Sequence, residues 1–228
     1  MVKSLSKKQI EHIQYDESVI FLDYGLETER YLAPTRGGGE FTANCTIHDI
    51  EFDGKQGKTA GTQIIEEQEA VTKVTTLCIS PDNLKLAVPG VEIEKDDKGN
   101  EFIENPSNGL IPDTAYFKNI TQFCKLLNGK HVKITLFNPM SENGLSIKAQ
   151  SKAEGELALE IYAHHELSDL NKKGGLWRVT WLKEAPELHY DKDGFAEDAP
   201  ASKAQTMSVK SAPAQVEDSK RTEAPAES

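Results

Sequence analysis

The sequence predicts a mainly β protein with one short flanking helix and a C-terminal tail that stays outside the core. Three observations carry that expectation. Stretches of alternating apolar residues recur between turns bearing Gly, Asp-Gly or Asn-Gly. One stretch has both a start and a stop signal for a helix. Beyond Pro186 the chain is reduced to Ala, Ser, Glu, Asp, Lys and Pro, with almost no large apolar side chain.

An N-terminal arm, residues 1–18, carries Ser6-Lys7-Lys8-Gln9, the pattern of a capping box, with Ile10 and Ile13 on one face of the turn after it; a short helix and a mobile arm both fit. A β domain, residues 19–186, opens with Val19-Ile20-Phe21-Leu22-Asp23-Tyr24, apolar enough to be covered on both sides and ended by Gly25. Residues 26–39 lose periodicity and finish in Gly37-Gly38-Gly39, which predicts a long loop. In the strand expected over residues 40–52, Phe41, Ala43, Cys45 and Ile47 alternate, but Ile50 and Phe52 follow out of phase. A β-bulge near His48 and Asp49 accounts for the slip.

Asp53-Gly54 opens a turn that the polar, glycine-punctuated residues 55–61 widen beyond two residues. Within the strand expected over residues 64–79, Val71, Lys73, Thr75, Leu77 and Ile79 share one side and Ala70, Thr72, Val74, Thr76 and Cys78 the other. One side should pack and the other meet water. Ser80 as N-cap, Pro81 at the first helical position and the Pro89-Gly90 stop define a helix of about two turns, with Leu84 and Val88 on its buried face.

Residues 91–112 form an acidic, turn-rich insertion in which Glu92-Ile93-Glu94 and Glu101-Phe102-Ile103 can pair around Asp97-Lys98-Gly99-Asn100. Residues 116–127 and 131–137 flank Asn128-Gly129, a dipeptide suited to a type I′ turn, and make the clearest hairpin of the chain. Leu145, Ile147 and Ala149, then Leu157, Leu159, Ile161 and Ala163, then Trp177, Val179 and Trp181 each mark a strand with one apolar face. The tail, residues 187–228, cannot bury enough surface to offset its ordering entropy, and disorder is expected from about Ala196.

With 228 residues, 37% hydrophobic and 28% charged, the chain can build one core and still leave a part outside it. A net charge of -11 argues against a general nucleic-acid binder, because affinity for phosphates rests on Lys and Arg, yet it suits a surface past which DNA must slide. Cys45, Cys78 and Cys124 are odd in number and widely spaced, with no partner at zinc spacing. They read as small buried strand residues in a reducing cell rather than as disulfides or metal ligands. Residues 1–18 lack the apolar run of a signal peptide and no segment has membrane-spanning length, so synthesis and folding in the cytoplasm, with no membrane partner, are expected.

Candidate chemistry is sparse. Gly57-Lys58-Thr59 looks like the end of a P-loop, but Phe52 stands where the first glycine belongs and β-rich sequence follows where a helix should. Gly37-Gly38-Gly39 precedes a strand and is not a dinucleotide fingerprint. His164-His165-Glu166 invites a metal, yet consecutive strand residues point to opposite faces, so solvated or packed histidines are the better account. Asn44-Cys45-Thr46 and Asn119-Ile120-Thr121 match the glycosylation pattern by coincidence. Trp177 and Trp181 fit core or interface anchors better than ligand-stacking residues. No nucleophile or paired-carboxylate pattern stands out, so no catalytic residue, cofactor or metal is expected and the chain is not read as an enzyme.

In their order and spacing, the loop at residues 32–41, the segment at residues 47–61 with Asp53-Gly54, the helix at residues 81–90, the Asn128-Gly129 hairpin and Asn143-Gly144-Leu145 resemble the tail tube (major tail) protein family of long-tailed bacteriophages. The likeness covers residues 19–183. It implies a β-sandwich or barrel-like subunit with a flanking helix that joins copies of itself edge to edge into rings, usually six to a ring in that family, which stack into a tube for genome delivery. The implied setting is the tail of a virion, with other tail proteins at the tube ends and the tape measure protein and DNA as passing contents of the lumen.

Carried onto this chain, the resemblance makes Arg36, Gly37, Gly38, Gly39, Lys55, Gln56 and Lys58 candidates for contacts between rings, in loops mobile before assembly. It makes the strands at residues 40–52 and 64–79 candidates for the lumen wall, with Glu66, Glu67 and Glu69 facing the passing DNA. The insertion and the tail depart from the simplest family members and leave room for an outer-surface role such as host adhesion. Two other classes remain open at this point: a non-tube tail or baseplate component that binds a neighbouring virion protein or a cell-surface glycan, and a small β-barrel enzyme whose site carries no motif.

Overall fold

A computed structural model describes residues 5–15, 18–149, 151–166 and 175–192. The chain is mainly β. In order the elements are α1 (Lys7–Ile10), β1 (Val19–Leu22), β2 (Arg30–Tyr31), β3 (Thr35–Asp49), β4 (Gln63–Thr76), α2 (Pro81–Ala87), β5 (Glu94–Lys95), β6 (Glu101–Phe102), a 3-10 turn (Asp113–Ala115), β7 (Asn119–Lys125), β8 (His131–Phe137), β9 (Met140–Ser141), β10 (Ser146–Lys148), β11 (Glu156–Tyr162) and β12 (Trp177–Trp181).

Two antiparallel sheets carry most of these strands. One runs β12-β8-β7-β1-β2 and the other β10-β11-β4-β3, with β9 on β11; β5 and β6 form a separate two-stranded ribbon. Between the sheets lie Ile20 and Leu22 of β1, Ile120 of β7 and Leu136 of β8, against Val74 of β4 and Leu157, Leu159 and Ile161 of β11. Alternation explains this set, since every second residue of a strand faces the same way. Leu86 and Ala87 of α2 complete the cluster, so the helix closes the sandwich core rather than riding on its surface.

Most of the expected elements stand where the alternation puts them. Ser6 caps α1 in a complete capping box. Ser80 Oγ accepts the Asn83 N–H and Pro81 opens α2. β5 pairs with β6, and β7 with β8 across Asn128-Gly129, where Gly129 has φ 78°. Ala70, Thr72, Val74 and Thr76 are the buried side of β4.

Several details differ. β1 stops at Leu22, before Gly25, because Asp23 turns into the left-handed region at φ 51°. Residues 26–39 are not one loop: they hold β2, and Thr35 already begins β3 with the three glycines inside the strand. On α2 the buried residues are Asn83, Leu86 and Ala87, whereas Leu84 and Val88 are half-buried. Asn83 is held inside because Nδ2 donates to Leu32 O at 3.3 Å and Cys78 O at 3.1 Å while Oδ1 accepts from Arg30 at 2.8 Å. Of the cysteines, Cys124 is buried, Cys78 half-buried and Cys45 exposed on β3. The apolar faces of β10 and β12 lack full cover: Ile147 and Leu145 are about half exposed, and Trp181 is 66% exposed.

The tail does not begin at residue 187. Residues 187–192 lie along the outer face of the first sheet, where Tyr190 meets Phe21 and Tyr31 at ring-centroid distances of 6.0 and 5.2 Å. Tyr24 Oη donates to Glu187 O at 3.0 Å, His189 Nδ1 lies 2.8 Å from Glu29 Oε1, and the Tyr31 N–H donates to Lys192 O. This strap gives Phe21 its second cover, as the sequence of β1 requires. The rest of the expected disordered tail, residues 193–228, falls outside the described residues, as do residues 1–4 of the arm.

Candidate functional site

Among the described residues, the β3–β4 ribbon runs beyond the strands that pair with it. Its two strands pair from Thr35↔Thr76 to Asp49↔Gln63, and β11 accompanies β4 from Thr76 only as far as Val71. Beyond that point the ribbon runs on with two edges. Every residue from Gln63 to Glu69, and from Ala43 to His48, is exposed. Backbone N–H and C=O groups on such edges are a template for another strand.

Two register shifts shape the ribbon. Near its base, Arg36, Gly37 and Gly38 lie opposite the single residue Thr75. Gly37 and Gly38 have φ 76° and 72°, the left-handed region that favours glycine. Near the tip, Thr46 pairs with Glu67 but Ile47 pairs with Ile65, leaving Glu66 as the extra residue. The expected bulge therefore exists, about one residue from its expected place, with the inserted residue on β4 instead of β3. A phase slip along one strand cannot reveal which partner carries the insertion.

Cross-strand partners share a face, so the register sorts the ribbon's side chains. Phe41, Ala43, Cys45 and Ile47 with Thr72, Ala70, Gln68 and Ile65 continue the core-facing side. Glu40, Thr42, Asn44, Thr46 and His48 with Lys73, Val71, Glu69, Glu67 and Ile64 form the opposite, outer side. That outer face continues across β11 through Tyr162 and Glu160. Lys73 Nζ sits 3.0 Å from Glu160, whose hydrogen bond and charge push the lysine up from its ordinary pKa. Burial, then the Glu160 charge, raises the Tyr162 phenol.

The sequence-expected residues fall in three places. Glu67 and Glu69 project from the outer face and Glu66 marks the bulge between them and the tip. Arg36 to Gly39 sit at the ribbon's base, where Arg36 bridges Glu154 at 2.6 Å and Glu156 at 3.1 Å. The Glu154 carboxyl is drawn below its ordinary value by its own backbone N–H and then by Arg36. Lys55, Gln56 and Lys58 sit in the connection at the tip. Lys55 Nζ donates to Ile50 O at 2.8 Å and lies 3.8 Å from Asp49, while Gln56 and Lys58 are exposed. The two sets are not brought together: a 15-residue strand separates them, a span on the order of 40 Å.

The tip carries exposed Ile47, Ile50, Phe52, Ile64 and Ile65. Alternation in the sequence names these residues but expects one side of each strand to be covered, and among the described residues neither side is. Beside β4, where β11 ends, a cleft of about 690 Å³ is lined by Glu66, Glu67, Glu69, Glu142, His164 and His165 among others. His164 faces acceptors with both nitrogens, Asn138 O at 3.1 Å and Glu142 Oε1 at 2.9 Å. Among the described residues no group of three or more His, Cys, Asp or Glu is arranged to hold a metal, and no helix is long and apolar enough to cross a membrane.

No protein-family model and no curated protein matches the chain. Among solved structures, a chain of the "Tail of empty GTA particle computed with helical refinement, C6 symmetry" is similar to this one at 11% identity and a TM-score of 0.35, over 72% of this chain and 96% of that chain.

Proposed function

We propose that this chain is a structural protein of a phage tail that polymerises into stacked rings and so forms a conduit for the genome. The observation that carries this reading is the β3–β4 ribbon. A two-stranded ribbon open on both faces is marginal in water on its own, yet this one is long, paired to its end and apolar at its tip. Strands from neighbouring copies would cover its edges, and a closed ring would leave no strand edge unpaired.

The polar outer face supports the same reading. Glu67 and Glu69 stand on it in alternate positions, and the chain's net charge of -11 would keep phosphates from adhering to a wall built of such strands. Arg36 to Gly39, near the start of β3, and Lys55 to Lys58, in the connection beyond its other end, would serve as the two contact regions of a head-to-tail stack. A hexameric ring, a place in the virion tail, contacts with other tail proteins at the tube ends, and tape measure protein and DNA within the lumen complete the proposal. No catalytic step enters it.

Electron microscopy of the purified full chain at high concentration tests it. Hollow tubes or rings are expected; monomers of uniform mass under all concentrations and salts would overturn it.

A further inference from the structure

Two surfaces of this chain are each half of a contact. α1 is closed by reciprocal hydrogen bonds, Ser6 Oγ accepting the Gln9 N–H at 3.3 Å and Gln9 Oε1 accepting the Ser6 N–H at 2.9 Å, yet it buries none of its residues. Leu5, Ile10 and Ile13 are 61%, 41% and 41% exposed. Past the helix the arm is tied to the β7–β8 turn, where the Leu127 N–H donates to Ile13 O and the Tyr15 N–H to Lys125 O, both at 3.0 Å. A four-residue helix has almost no stability from propensity alone, so its apolar side chains lack the cover that would fix it.

The other half is a groove of about 360 Å³ between α2 and the β5–β6 insertion. Leu84, Val88, Val91, Phe102, Ile103 and Leu145 make it apolar, and Glu101 and Glu104 stand in its wall. The charges are opposite. Residues 1–14 hold three lysines and one glutamate, whereas residues 91–112 hold six carboxylates and two lysines. Two of these carboxylates are already paired, Glu101 with Lys95 at 3.2 Å and Glu92 with Lys85 at 3.4 Å, exposed pairs that exchange partners at little cost.

We propose that the groove receives the N-terminal arm of a second copy of this chain, with Leu5, Ile10 and Ile13 in the apolar channel and Lys7 and Lys8 beside Glu101 and Glu104. Ile10 ends α1 and Ile13 follows three positions on, in the turn after it, so both apolar side chains are close enough to enter one such groove. The arm is held against its own β7–β8 turn with those side chains uncovered, which leaves the groove of each chain open to a neighbour's arm. Because arm and groove are different surfaces, the contact can run head-to-tail from copy to copy, closing a ring or continuing as a stack according to the rotation between neighbours. The inference rests on the self-assembly reading above and gives it a joint outside the β3–β4 ribbon.

The test uses the full chain, half of it isotopically heavy, with a photo-crosslinking residue at position 10. Under assembling conditions, links joining the arm to residues 84–106 in mixed-isotope pairs are expected. Links within one isotope only, or to other surfaces, overturn the proposal. In parallel, Lys7→Glu with Lys8→Glu should raise the concentration needed for assembly about tenfold, and adding Glu101→Lys with Glu104→Lys should restore most of it. Circular dichroism checks that each variant folds. If the wild type assembles and the charge swaps change nothing, the arm contact fails while the tube reading stands; if the wild type never assembles, both fail.

Discussion

Gln122 of β7 reaches across the sandwich to the backbone of Gly39 in β3: its Nε2 donates to Gly39 O at 2.8 Å and to Ser18 Oγ at 2.9 Å, while Ser18 Oγ accepts the Gly39 N–H at 3.0 Å. One amide and one hydroxyl thus satisfy both backbone groups of the residue that follows the bulge. A Cβ at position 39 would lie 2.8 Å from Ile20 Cδ1 and 3.2 Å from Gln122 Nε2. Ile20 is fully buried and has little room to yield. Gly39→Ala should therefore destabilise the fold by about 1–3 kcal/mol, the range for overpacking. Gly37→Ala meets nothing within 4 Å and should cost about 1 kcal/mol through its positive φ alone. Urea midpoints of the two variants check the ranking, and an equal loss for both would refute the close-approach account.

Asp23 sets the end of β1. Its Oδ1 accepts the Lys118 and Asn119 N–H groups at 2.7 and 3.2 Å and its Oδ2 accepts from Thr28 Oγ1 at 2.9 Å, with the backbone at φ 51°. Asp23→Ala removes those acceptors and keeps a side chain in the left-handed region, for a loss of about 2–4 kcal/mol. Asp23→Asn retains one oxygen and tolerates the backbone, so it should lose about half as much. Thermal melts of the three proteins rank them, and a neutral alanine variant would contradict the assigned role.

The strap of residues 187–192 gives a pH dependence. Burial pushes the Glu29 carboxyl up, but the Gly25 N–H and then the hydrogen bond and charge of His189, with Lys192 behind, outweigh it and leave the group below its ordinary value. A carboxyl lowered on folding contributes stability that is whole above its unfolded pKa and disappears as pH falls through the folded one. Wild type should thus lose stability below about pH 4.3 more steeply than Glu29→Gln, whose curve lacks this component. Hydrogen exchange at the Tyr31 amide, which donates to Lys192 O, should accelerate in the same window. Parallel stability curves for the two proteins would exclude the clamp.

Local signals were legible where one strand or helix carries its own evidence. Ser80-Pro81 gave the start of α2, Asn128-Gly129 the β7–β8 hairpin, and Leu157, Leu159 and Ile161 the buried face of β11. What stayed hidden depends on partners distant in sequence. Gly37-Gly38-Gly39 looks like a flexible loop until Ser18 and Gln122 are seen to bind Gly39. The extra residue at the second bulge belongs to β4, which the pattern along β3 cannot say. Leu188 and Tyr190, isolated in a polar segment, are the signal that the domain continues past Pro186. For the candidate site, Glu67 and Glu69 could be named in sequence, but their common face could not be fixed before the register was known.

The apolar tip of the ribbon separates folding from assembly. Ile47 and Ile65 pair across it with 54% and 59% of their surface exposed, so Ile47→Ser with Ile65→Ser should change monomer stability by about 0.5 kcal/mol or less. If neighbouring copies cover both side chains, the same pair of substitutions removes about 3 kcal/mol or more per subunit from the assembly. The concentration required for rings or tubes should rise a hundredfold or more. Light scattering across a dilution series measures it, and unchanged assembly would place the ribbon tip outside the contacts.

The charge on the outer face is a separate matter from the contacts that hold copies together. Glu67 and Glu69 lie opposite Thr46 and Asn44, with Ile64 and Val71 as their neighbours on that side of β4, so reversing them to lysine should leave pairing and core intact. In the proposed tube, the change would turn two repelling groups per subunit into two that attract phosphate. DNA passage should slow and become salt-dependent, recovering as ionic strength screens the new attraction. Ejection kinetics from particles carrying Glu67→Lys with Glu69→Lys, measured at low and high salt, decide the point. Equal rates at both salts, with tubes formed normally, would remove this face from the lumen wall and leave the opposite face of the ribbon to line it.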